Sequence, residues 1–396
     1  MFNNTNKIAI ILSHPVQYYS PLFKVISTRG KLKIKVFYTW ELGSQTFDKG
    51  FGKKVEWDIP LLDGYDYNYV SNNGIFGRRF WHIRNPSLIK EIEEWGATAI
   101  MVFEWSYYSH LKAMIHFHNK NITVLFRGDS HILDKQHWFK EYFRKFYLSW
   151  VYKHVDYALY VGKNNKDYYK NVNLKEPQLI FVPHAIDNER FLDSKDKQYL
   201  EKAIVWRKKI GFKDNNIVLS FIGKFEDKKN PLLLIKALRK IGNPNLKLLM
   251  VGNGNLENEI RIEADKDECI KILGFQNQST MPILYRVADI FVLPSKGPGE
   301  TWGLAVNEAM ACGLPIIVSN KVGCAIDLVK DNENGFIFES DNLESLVNKI
   351  EKFIIDPGII KAFENRSQEI IKEWSFLNIS LALENLVNHK QDLNKD

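Results

Sequence analysis

Short apolar runs recur along the chain, and each is followed by a loop of polar residues, glycine or proline. Such runs are typical of strands buried in a parallel sheet. They cover residues 8–12, 99–103, 122–126, 218–222, 248–251, 270–275, 290–293 and 316–318. Segments between them, such as Leu232–Leu238 and Met281–Ala288, are predicted to be helices. The alternation of strands and helices predicts an α/β fold.

Residues 290–319 combine a strand, a loop, a helix and a second strand. Glu300 lies in the loop, at the carboxyl edge of the predicted sheet, where ligands bind in such units. The helix is predicted to open near Gly303, to contain Glu308 and to end at Gly313-Leu314-Pro315. Because a helix N-terminus binds anions, a diphosphate fits here. Two carboxylates beside it suit a neutral, hydroxyl-rich partner such as a sugar or ribose.

Residues 300–319, E-T-W-G-L-A-V-N-E-A-M-A-C-G-L-P-I-I-V-S, resemble the E-x7-E signature of the family-4 retaining glycosyltransferases. The resemblance implies that Glu300 contacts the donor sugar and that Glu308 holds the ribose hydroxyls of the nucleotide. It also implies that the backbone of Gly303 and Leu304 binds the diphosphate or sugar, and Trp302 stands where phenylalanine is usual. The alternative is an ordinary α/β unit with a polar loop.

Two lysines and two glycines extend the resemblance. Lys224 and Lys229 match the Arg and Lys that clamp the donor diphosphate in the family, and lysine at the first position keeps the charge but loses the bidentate geometry. Asn230 replaces a family glycine, and asparagine tolerates positive φ. Gly252 and Gly254 match a turn that faces the nucleotide, although a tight turn alone would also explain them.

Length and resemblance together predict two domains. A chain of 396 residues is too long for one ordinary core. The resemblance implies the GT-B fold, in which two Rossmann-like domains face each other across a cleft and a C-terminal helix crosses back to the first domain. The predicted parts are residues 1–184 for the acceptor, residues 185–373 for the nucleotide-sugar donor, and the crossover helix in residues 374–396.

Polar residues after the strands of the first domain are candidates for binding the acceptor. In chain order they are His14, Gln17, Glu104, Arg127 and Asp129. The histidine that relatives often carry after the third of these strands is missing, and Asp129 could orient or deprotonate the acceptor hydroxyl instead, with His131 as a weaker alternative. Structural roles stay open, because His14 could brace its turn and Asp129 could cap the following helix.

The stretch Gln136–Tyr152 is predicted to be a helix that mixes basic and aromatic residues. Its aromatic residues are Trp138, Phe139, Tyr142, Phe143, Phe146, Tyr147 and Trp150. Apolar positions recur at steps of three and four, which indicates that one face packs in the core. There are more aromatic residues than one such face needs, so peripheral contact with an anionic membrane is the alternative to a plain buried helix.

Composition narrows the class of protein. A hydrophobic content of 45% is typical of a globular protein, and the three cysteines show no disulfide or zinc spacing. The first apolar run is too short for a signal peptide, and no run has the length of a transmembrane helix. We therefore expect a cytoplasmic protein, which could lie on the inner face of the membrane. The net charge of +7 favours acidic partners, but its scattered basic residues show no nucleic-acid-binding motif.

These observations predict a retaining hexosyltransferase that moves a sugar from a nucleotide diphosphate to a saccharide or lipid-linked acceptor, in surface polysaccharide or glycan synthesis. No cofactor and no metal are expected, because Asp265-Lys266-Asp267 does not follow a strand as a metal-binding D-x-D does. The catalytic candidates are Glu300, Lys229 and Asp129. Two alternatives are a nucleotide-sugar epimerase or hydrolase on the same fold and a non-catalytic nucleotide-sugar-binding partner protein.

Overall fold

The computed structural model describes residues 6–40, 45–48, 53–75, 79–134 and 138–393. The chain divides into two compact units. The first comprises Met1–Ser44, Pro60–His184 and Phe376–Asp396, and the second comprises Gln45–Ile59 and Ala185–Ser375. Each unit contains one large parallel sheet, so the predicted α/β fold with two Rossmann-like halves is confirmed.

Eight of the thirteen strands that the two sheets contain in the described residues coincide with the apolar runs of the sequence, and the other five were not predicted. In chain order the strands are β1 Lys7–Leu12, β2 Lys33–Tyr38, β3 Gln45–Asp48, β4 Lys53–Glu56, β5 Asp66–Tyr69, β6 Ala99–Val102, β7 Thr123–Phe126, β8 Tyr157–Tyr160, β9 Leu179–Phe181, β10 Ile217–Ile222, β11 Leu246–Val251, β12 Ile270–Leu273, β13 Ile290–Leu293, β14 Ile316–Ser319 and β15 Gly335–Phe338. In the described residues the first sheet has the order β5-β2-β1-β6-β7-β8-β9, and the second has the order β12-β11-β10-β13-β14-β15. Neighbouring strands in both sheets are parallel.

Helices connect the strands of both sheets. They are α1 Ser20–Arg29, α2 Leu88–Trp95, α3 Tyr108–Asn119, α4 Trp138–Tyr152, α5 Lys163–Asn171, α6 Asn188–Phe191, α7 Tyr199–Lys209, α8 Pro231–Ile241, α9 Glu257–Glu263, α10 Met281–Val287, α11 Leu304–Ala311, α12 Ala325–Leu328, α13 Leu343–Ile355, α14 Ile359–Lys372 and α15 Phe376–Leu393. Their ends follow local chemistry: α8 starts with a proline and stops at Gly242, which has a φ of 63°.

The C-terminal helix α15 belongs to the first unit, where it packs against α1. The Arg29 guanidinium donates to both carboxylate oxygens of Glu384, at 2.7 and 2.9 Å. The hydrogen bonds and the positive charge of Arg29 lower the pKa of Glu384, although desolvation of the carboxylate acts in the opposite direction. The last apolar segment of the sequence thus returns to the half of the chain in which the first strand lies.

The segment Gln45–Ile59 lies with the second unit, although it precedes most of the first unit in the chain. Strands β3 and β4 pair only with each other in the described residues. The Asn277 amide donates to the carbonyl oxygen of Glu56 at 2.6 Å, and the rings of Trp57 and Phe275 lie 6.1 Å apart. The predicted first domain runs without interruption from residue 1 to residue 184. No sequence pattern in Gln45–Ile59 indicates which unit this segment packs against.

Candidate active site

The order of strands changes direction between β10 and β13 in the second sheet, and the loops that follow these two strands meet. Such a switch point is where ligands bind in open α/β sheets. The Lys296 N–H donates to the carbonyl oxygen of Lys228 at 2.9 Å, and the Lys296 ammonium lies 2.9 Å from Asp227. The backbone hydrogen bond joins the two loops, and the ion pair beside it is largely exposed to solvent.

Lys229 and Glu300 form an ion pair at this switch point. The Lys229 Nζ lies 2.9 Å from Oε1 and 2.7 Å from Oε2 of Glu300, and the Ser295 hydroxyl donates to Oε2 at 3.0 Å. The side chains of Lys229 and Glu300 are 16% and 7% exposed. Because water screens such a shielded pair weakly, each charge strongly orients the other. The structure thus brings together two of the three predicted catalytic residues.

Helix α11 begins beside this pair, and its start requires glycine. Gly303 has a φ of 95°, which an L-residue rarely adopts. A Cβ at this position would lie 3.0 Å from Val322 and 3.1 Å from Leu293. Leu304, the first residue of α11, is partly exposed, and the Val306 N–H in the same turn donates to the carbonyl oxygen of Gly303 at 2.8 Å. The helix N-terminus supplies the partial positive charge that favours a diphosphate.

Glu308 lies one turn into α11 and is 2% exposed. The hydroxyl of Tyr285, a buried residue of α10, donates to Oε2 of Glu308 at 2.7 Å. This tyrosine was missed by the sequence analysis, because a Tyr in an apolar helix gives no sign of its partner. A carboxylate held in this way makes strong hydrogen bonds, since little water competes for it.

The Trp302 side chain points away from the helix start. It is 3% exposed, its indole N–H donates to Asn307 at 2.8 Å, and its ring lies 5.2 Å from that of Trp374. Any contact of Trp302 with a donor therefore has to use its backbone. Trp302 anchors the loop within the second unit by packing against other buried side chains, a role that does not require the phenylalanine usual in the family.

The predicted glycine turn packs against the loop that follows β10. A Cβ on Gly252 would lie 1.9 Å from the carbonyl oxygen of Gly223, and one on Gly254 would lie 2.4 Å from that of Phe225. Close backbone packing therefore suffices to require both glycines. Lys224 lies within this same loop and is partly exposed. Asn230 has a φ of 53°, as expected for the residue that replaces the family glycine.

In the first sheet the switch point lies between β1 and β6, and Tyr19 lies in the loop after β1. Its ring stacks on His184 at 6.4 Å and contacts Phe103 at 4.6 Å. Burial raises the pKa of the Tyr19 phenol well above its usual value, and the charge of Asp129 raises it further. The phenol therefore stays protonated at neutral pH. The charge of Arg127 lowers the pKa of this phenol and that of Glu104 raises it, so three of the five candidate acceptor residues act on Tyr19 electrostatically.

Arg127 holds the chain rather than reaching outward. It is 3% exposed, and its guanidinium donates to the carbonyl oxygens of Val182 and Pro183, each at 2.9 Å. Burial lowers the pKa of His184 far below its usual value, and the positive charge of Arg127 lowers it further. His184 is therefore neutral at physiological pH and serves as a stacking partner for Tyr19.

The two polar residues predicted in the loop after β1 are both partly exposed. The ring Nδ1 of His14 lies 3.0 Å from the Ser13 hydroxyl, which supports the bracing role left open for it. Gln17 lies three residues further along, in the turn before α1.

Asp129 is partly exposed in an irregular loop, and the helix that follows it is described only from Trp138 onward. The residues directly before Trp138 lie outside the described ranges, so the helix-cap alternative for Asp129 stays open. The ring Nδ1 of His131 accepts the N–H of Leu133 at 3.1 Å, which places His131 in a local turn.

His110, at the start of α3, is a site residue that the sequence analysis missed. It is fully buried, and its ring contacts the Thr39 hydroxyl at 2.7 Å and the carbonyl oxygen of Glu104 at 2.8 Å. Burial lowers the pKa of His110 to about 4, so the ring is neutral and links the two loops by hydrogen bonds. The histidine fixes the backbone of Glu104, a predicted acceptor residue.

Helix α4 is not the plain buried helix that its pattern favoured. Gln136 and His137, the first residues of the predicted helix, lie outside the described residues. Within Trp138–Tyr152 only Leu148, Val151 and Tyr152 are buried. The aromatic residues form an exposed row, here called the aromatic stripe, whose members are Trp138, Phe139, Tyr142, Phe143, Phe146, Tyr147 and Trp150. The helical periodicity was correct, but the aromatic face is the one turned away from the core.

Part of the chain matches a known protein family. Residues 203–373 match the family model of the glycosyl transferases group 1. The matched part contains the Lys229–Glu300 pair, the start of α11 and Glu308.

The chain superposes over nearly its whole length on solved structures. A glycosyltransferase from Rickettsia africae ESF-5 aligns with a TM-score of 0.71 and 18% identity, over 99% of this chain and 100% of that one. The Anabaena protein HepE in complex with UDP and glucose gives 0.70 and 16% identity, over 97% and 99%. The chain has the GT-B fold.

Curated relatives align over part of their length. The UDP-Gal:alpha-D-GlcNAc-diphosphoundecaprenol alpha-1,3-galactosyltransferase of Escherichia coli is 29% identical over 52% of this chain and 53% of its own. An N-acetylgalactosamine-N,N'-diacetylbacillosaminyl-diphospho-undecaprenol 4-alpha-N-acetylgalactosaminyltransferase of Campylobacter jejuni is 26% identical over 61% and 62%. The chain thus spans about half to three fifths of the length of these relatives.

The described residues contain neither a membrane-spanning helix nor a metal-binding cluster. None of the helices in the described ranges is both long and apolar enough to cross a membrane. In the same ranges no group of three or more His, Cys, Asp and Glu side chains could hold a metal ion.

Proposed function

We propose that this protein is a retaining glycosyltransferase of family 4, which moves a hexose-type sugar from a nucleotide diphosphate to a saccharide or lipid-linked acceptor. The observation that carries the proposal is the Lys229–Glu300 pair beside the start of α11. The relatives from E. coli and C. jejuni act on undecaprenol-linked sugars by name, which supports a lipid-linked acceptor and a role in surface polysaccharide or glycan synthesis.

The proposed chemistry places the donor diphosphate between the N-terminus of α11 and the two lysines. Lys229, Lys224 and the first N–H groups of α11 neutralise the charge that grows on the diphosphate as the bond to the sugar carbon breaks. Glu300, oriented by Lys229 and Ser295, contacts the sugar hydroxyls. The acceptor oxygen attacks the face that the diphosphate leaves, and a phosphate oxygen takes the acceptor proton. Cations of the protein suffice for this step, so we propose that no metal is needed.

A screen of nucleotide sugars tests the proposal. One nucleotide sugar should raise the melting temperature by mass action and should be turned over with a lipid-linked or saccharide acceptor, with retained anomeric configuration by NMR. Turnover should persist in excess EDTA. Reversible loss of turnover in EDTA would contradict the metal-independent mechanism. Free sugar released at the same rate with and without acceptor would instead indicate a hydrolase or epimerase.

Glu308 is expected to bind the ribose of the donor. Glu308→Ala removes a charge-assisted hydrogen bond worth roughly 1.5–3 kcal/mol, so nucleoside diphosphate affinity measured by calorimetry should fall about tenfold or more. Tyr285→Phe is the matched control, because it removes the hydroxyl that donates to Glu308 but leaves the carboxylate. This control should keep most of the affinity. Equal affinities for the wild type and Glu308→Ala would sink the assignment.

Asp129 is expected to position the acceptor. Asp129→Asn keeps the shape of the side chain but removes its charge, and we expect turnover to fall by about 10²-fold, as is typical when a reacting group is misplaced. Donor affinity should not change, because Asp129 and the donor residues belong to different units. His131→Asn, in the same loop, is the control and should remain active. Normal turnover by a folded Asp129→Asn protein would leave Glu104 as the acceptor-side carboxylate.

A further inference from the structure

Helix α4 presents its aromatic side chains to solvent on the side opposite its buried residues. Its buried residues Leu148, Val151 and Tyr152 are 3%, 0% and 2% exposed, whereas Phe143 and Phe146 are 68% and 75% exposed. With about 100° of rotation per residue, the centre of the aromatic stripe lies roughly 180° from the centre of the buried face. The stripe is therefore a second, largely exposed apolar face, at whose end Tyr147 packs against Trp105 with 5.7 Å between the ring centroids.

The aromatic stripe is larger than the apolar patches that a soluble monomer usually exposes. Its members are 42–75% exposed, and with roughly 200 Å² for each aromatic side chain they present on the order of 800 Å². The largest patch on a typical monomer is about 300–600 Å² and is often functional. A continuous aromatic surface of this size is therefore expected to have a binding partner.

Basic residues border the stripe on both sides. By helical position Lys140 lies along one edge and Lys145 lies near the other, and both are exposed, whereas Arg144 lies on the side of the buried residues and lines a cavity with Tyr168. Glu141, the single acidic residue of α4, lies toward the margin that packs on the first unit. Long basic side chains beside an apolar face can extend to headgroups while the apolar face is buried. The charge of this surface is thus complementary to an anionic partner.

A second copy of this chain fits the surface less well than a membrane does. In a symmetric dimer the same patch faces itself, so the basic edges of the two copies would repel each other. An anionic bilayer suits both the aromatic stripe and the basic residues at its edges. The bilayer interface accepts Trp and Tyr, and its headgroups attract Lys and Arg.

We propose that α4 is a membrane-binding surface that lies in the interface of an anionic bilayer with its aromatic stripe inserted among the headgroups. The aromatic stripe supplies the apolar contact, and Lys140 and Lys145 supply the attraction to anionic lipid. The proposal holds whether or not the transfer reaction is correctly assigned, because binding to lipid needs neither donor nor acceptor.

Flotation of the full-length protein with lipid vesicles tests the proposal. The protein should bind phosphatidylglycerol–phosphatidylcholine vesicles at least tenfold more tightly than pure phosphatidylcholine vesicles, and added salt should weaken the binding. Phe143→Ser combined with Phe146→Ser should reduce binding at least tenfold. Lys140→Glu combined with Lys145→Glu should abolish the preference for anionic lipid, which tests the surface without altering an aromatic residue.

The matched control is Ile355→Ser, which removes an apolar side chain that is 82% exposed in the second unit. It should bind vesicles as the wild type does, and circular dichroism should show the same helix content for all variants. Three results would overturn the proposal: no preference of the wild type for anionic vesicles, unchanged binding by both double variants, or a solution dimer that Phe143→Ser with Phe146→Ser converts to monomers. The last result would assign the surface to self-association.

Discussion

Replacing Lys229 with methionine is expected to abolish transfer and to destabilise the second unit at the same time. The substitution leaves the Glu300 carboxylate, 7% exposed, without its cation. Removing one partner of a buried pair typically costs about 3–5 kcal/mol, so thermal unfolding should shift clearly downward. Turnover should fall by about 10²–10³-fold or more, because a preorganised group that stabilises the leaving diphosphate is lost.

A second variant separates the loss of stability from the loss of activity. Lys229→Met combined with Glu300→Gln removes both charges, so most of the stability should return while transfer stays absent. Lys296→Met is the matched control in the neighbouring loop, since its ion pair with Asp227 is far more exposed, at 30% and 74%. Exposed pairs contribute about 0–1 kcal/mol, and this control should change little. Transfer at the wild-type rate by the double variant would remove both residues from the proposed mechanism.

The sheets and the donor loops could be predicted from the sequence because their signals are local. Strands such as β13 are buried on both faces, so they appear as continuous apolar runs. Glu300, Gly303 and Glu308 lie within one strand–loop–helix segment, and their spacing alone determines where they lie along it. The φ of 53° at Asn230 was likewise expected from the residue type.

Pairings between distant positions could not be predicted in this way. Lys229 and Glu300 are 71 residues apart, and only the adjacency of β10 and β13 brings them together. Tyr285 and Glu308 meet through the packing of α10 on α11. Arg127 resembles a ligand-binding residue in the sequence, but its two terminal guanidinium nitrogens donate to carbonyl oxygens from a later segment. Each of these depends on tertiary contacts that no local pattern encodes.

The aromatic helix shows a different limit of sequence reasoning. Periodicity identifies an apolar face of α4, but it does not reveal whether the rest of the protein covers that face. The inward face needs only three residues, Leu148, Val151 and Tyr152, and the aromatic residues are left outside. The Trp302 side chain is the reverse case, because a residue inside the ligand-binding motif is turned into the core.

Gly303→Ala is expected to weaken the donor site far more than Gly299→Ala, although both glycines lie in the same loop. Their φ angles are 95° and 86°, so each alanine costs about 1–2 kcal/mol for the left-handed backbone. At Gly299 a Cβ meets nothing within 4 Å, whereas at Gly303 it meets Val322 and Leu293 at 3.0 and 3.1 Å.

The added crowding at Gly303 costs about a further 1–3 kcal/mol if the neighbours shift, and it displaces the start of α11 if they do not. In either case the first N–H groups of α11 lose their alignment with the diphosphate. Nucleoside diphosphate affinity, measured by calorimetry, should therefore fall at least tenfold for Gly303→Ala and stay near the wild-type value for Gly299→Ala. Equal affinities for the two variants would mean that the start of α11 does not hold the donor diphosphate, and that Lys224 and Lys229 bind it without help from the helix.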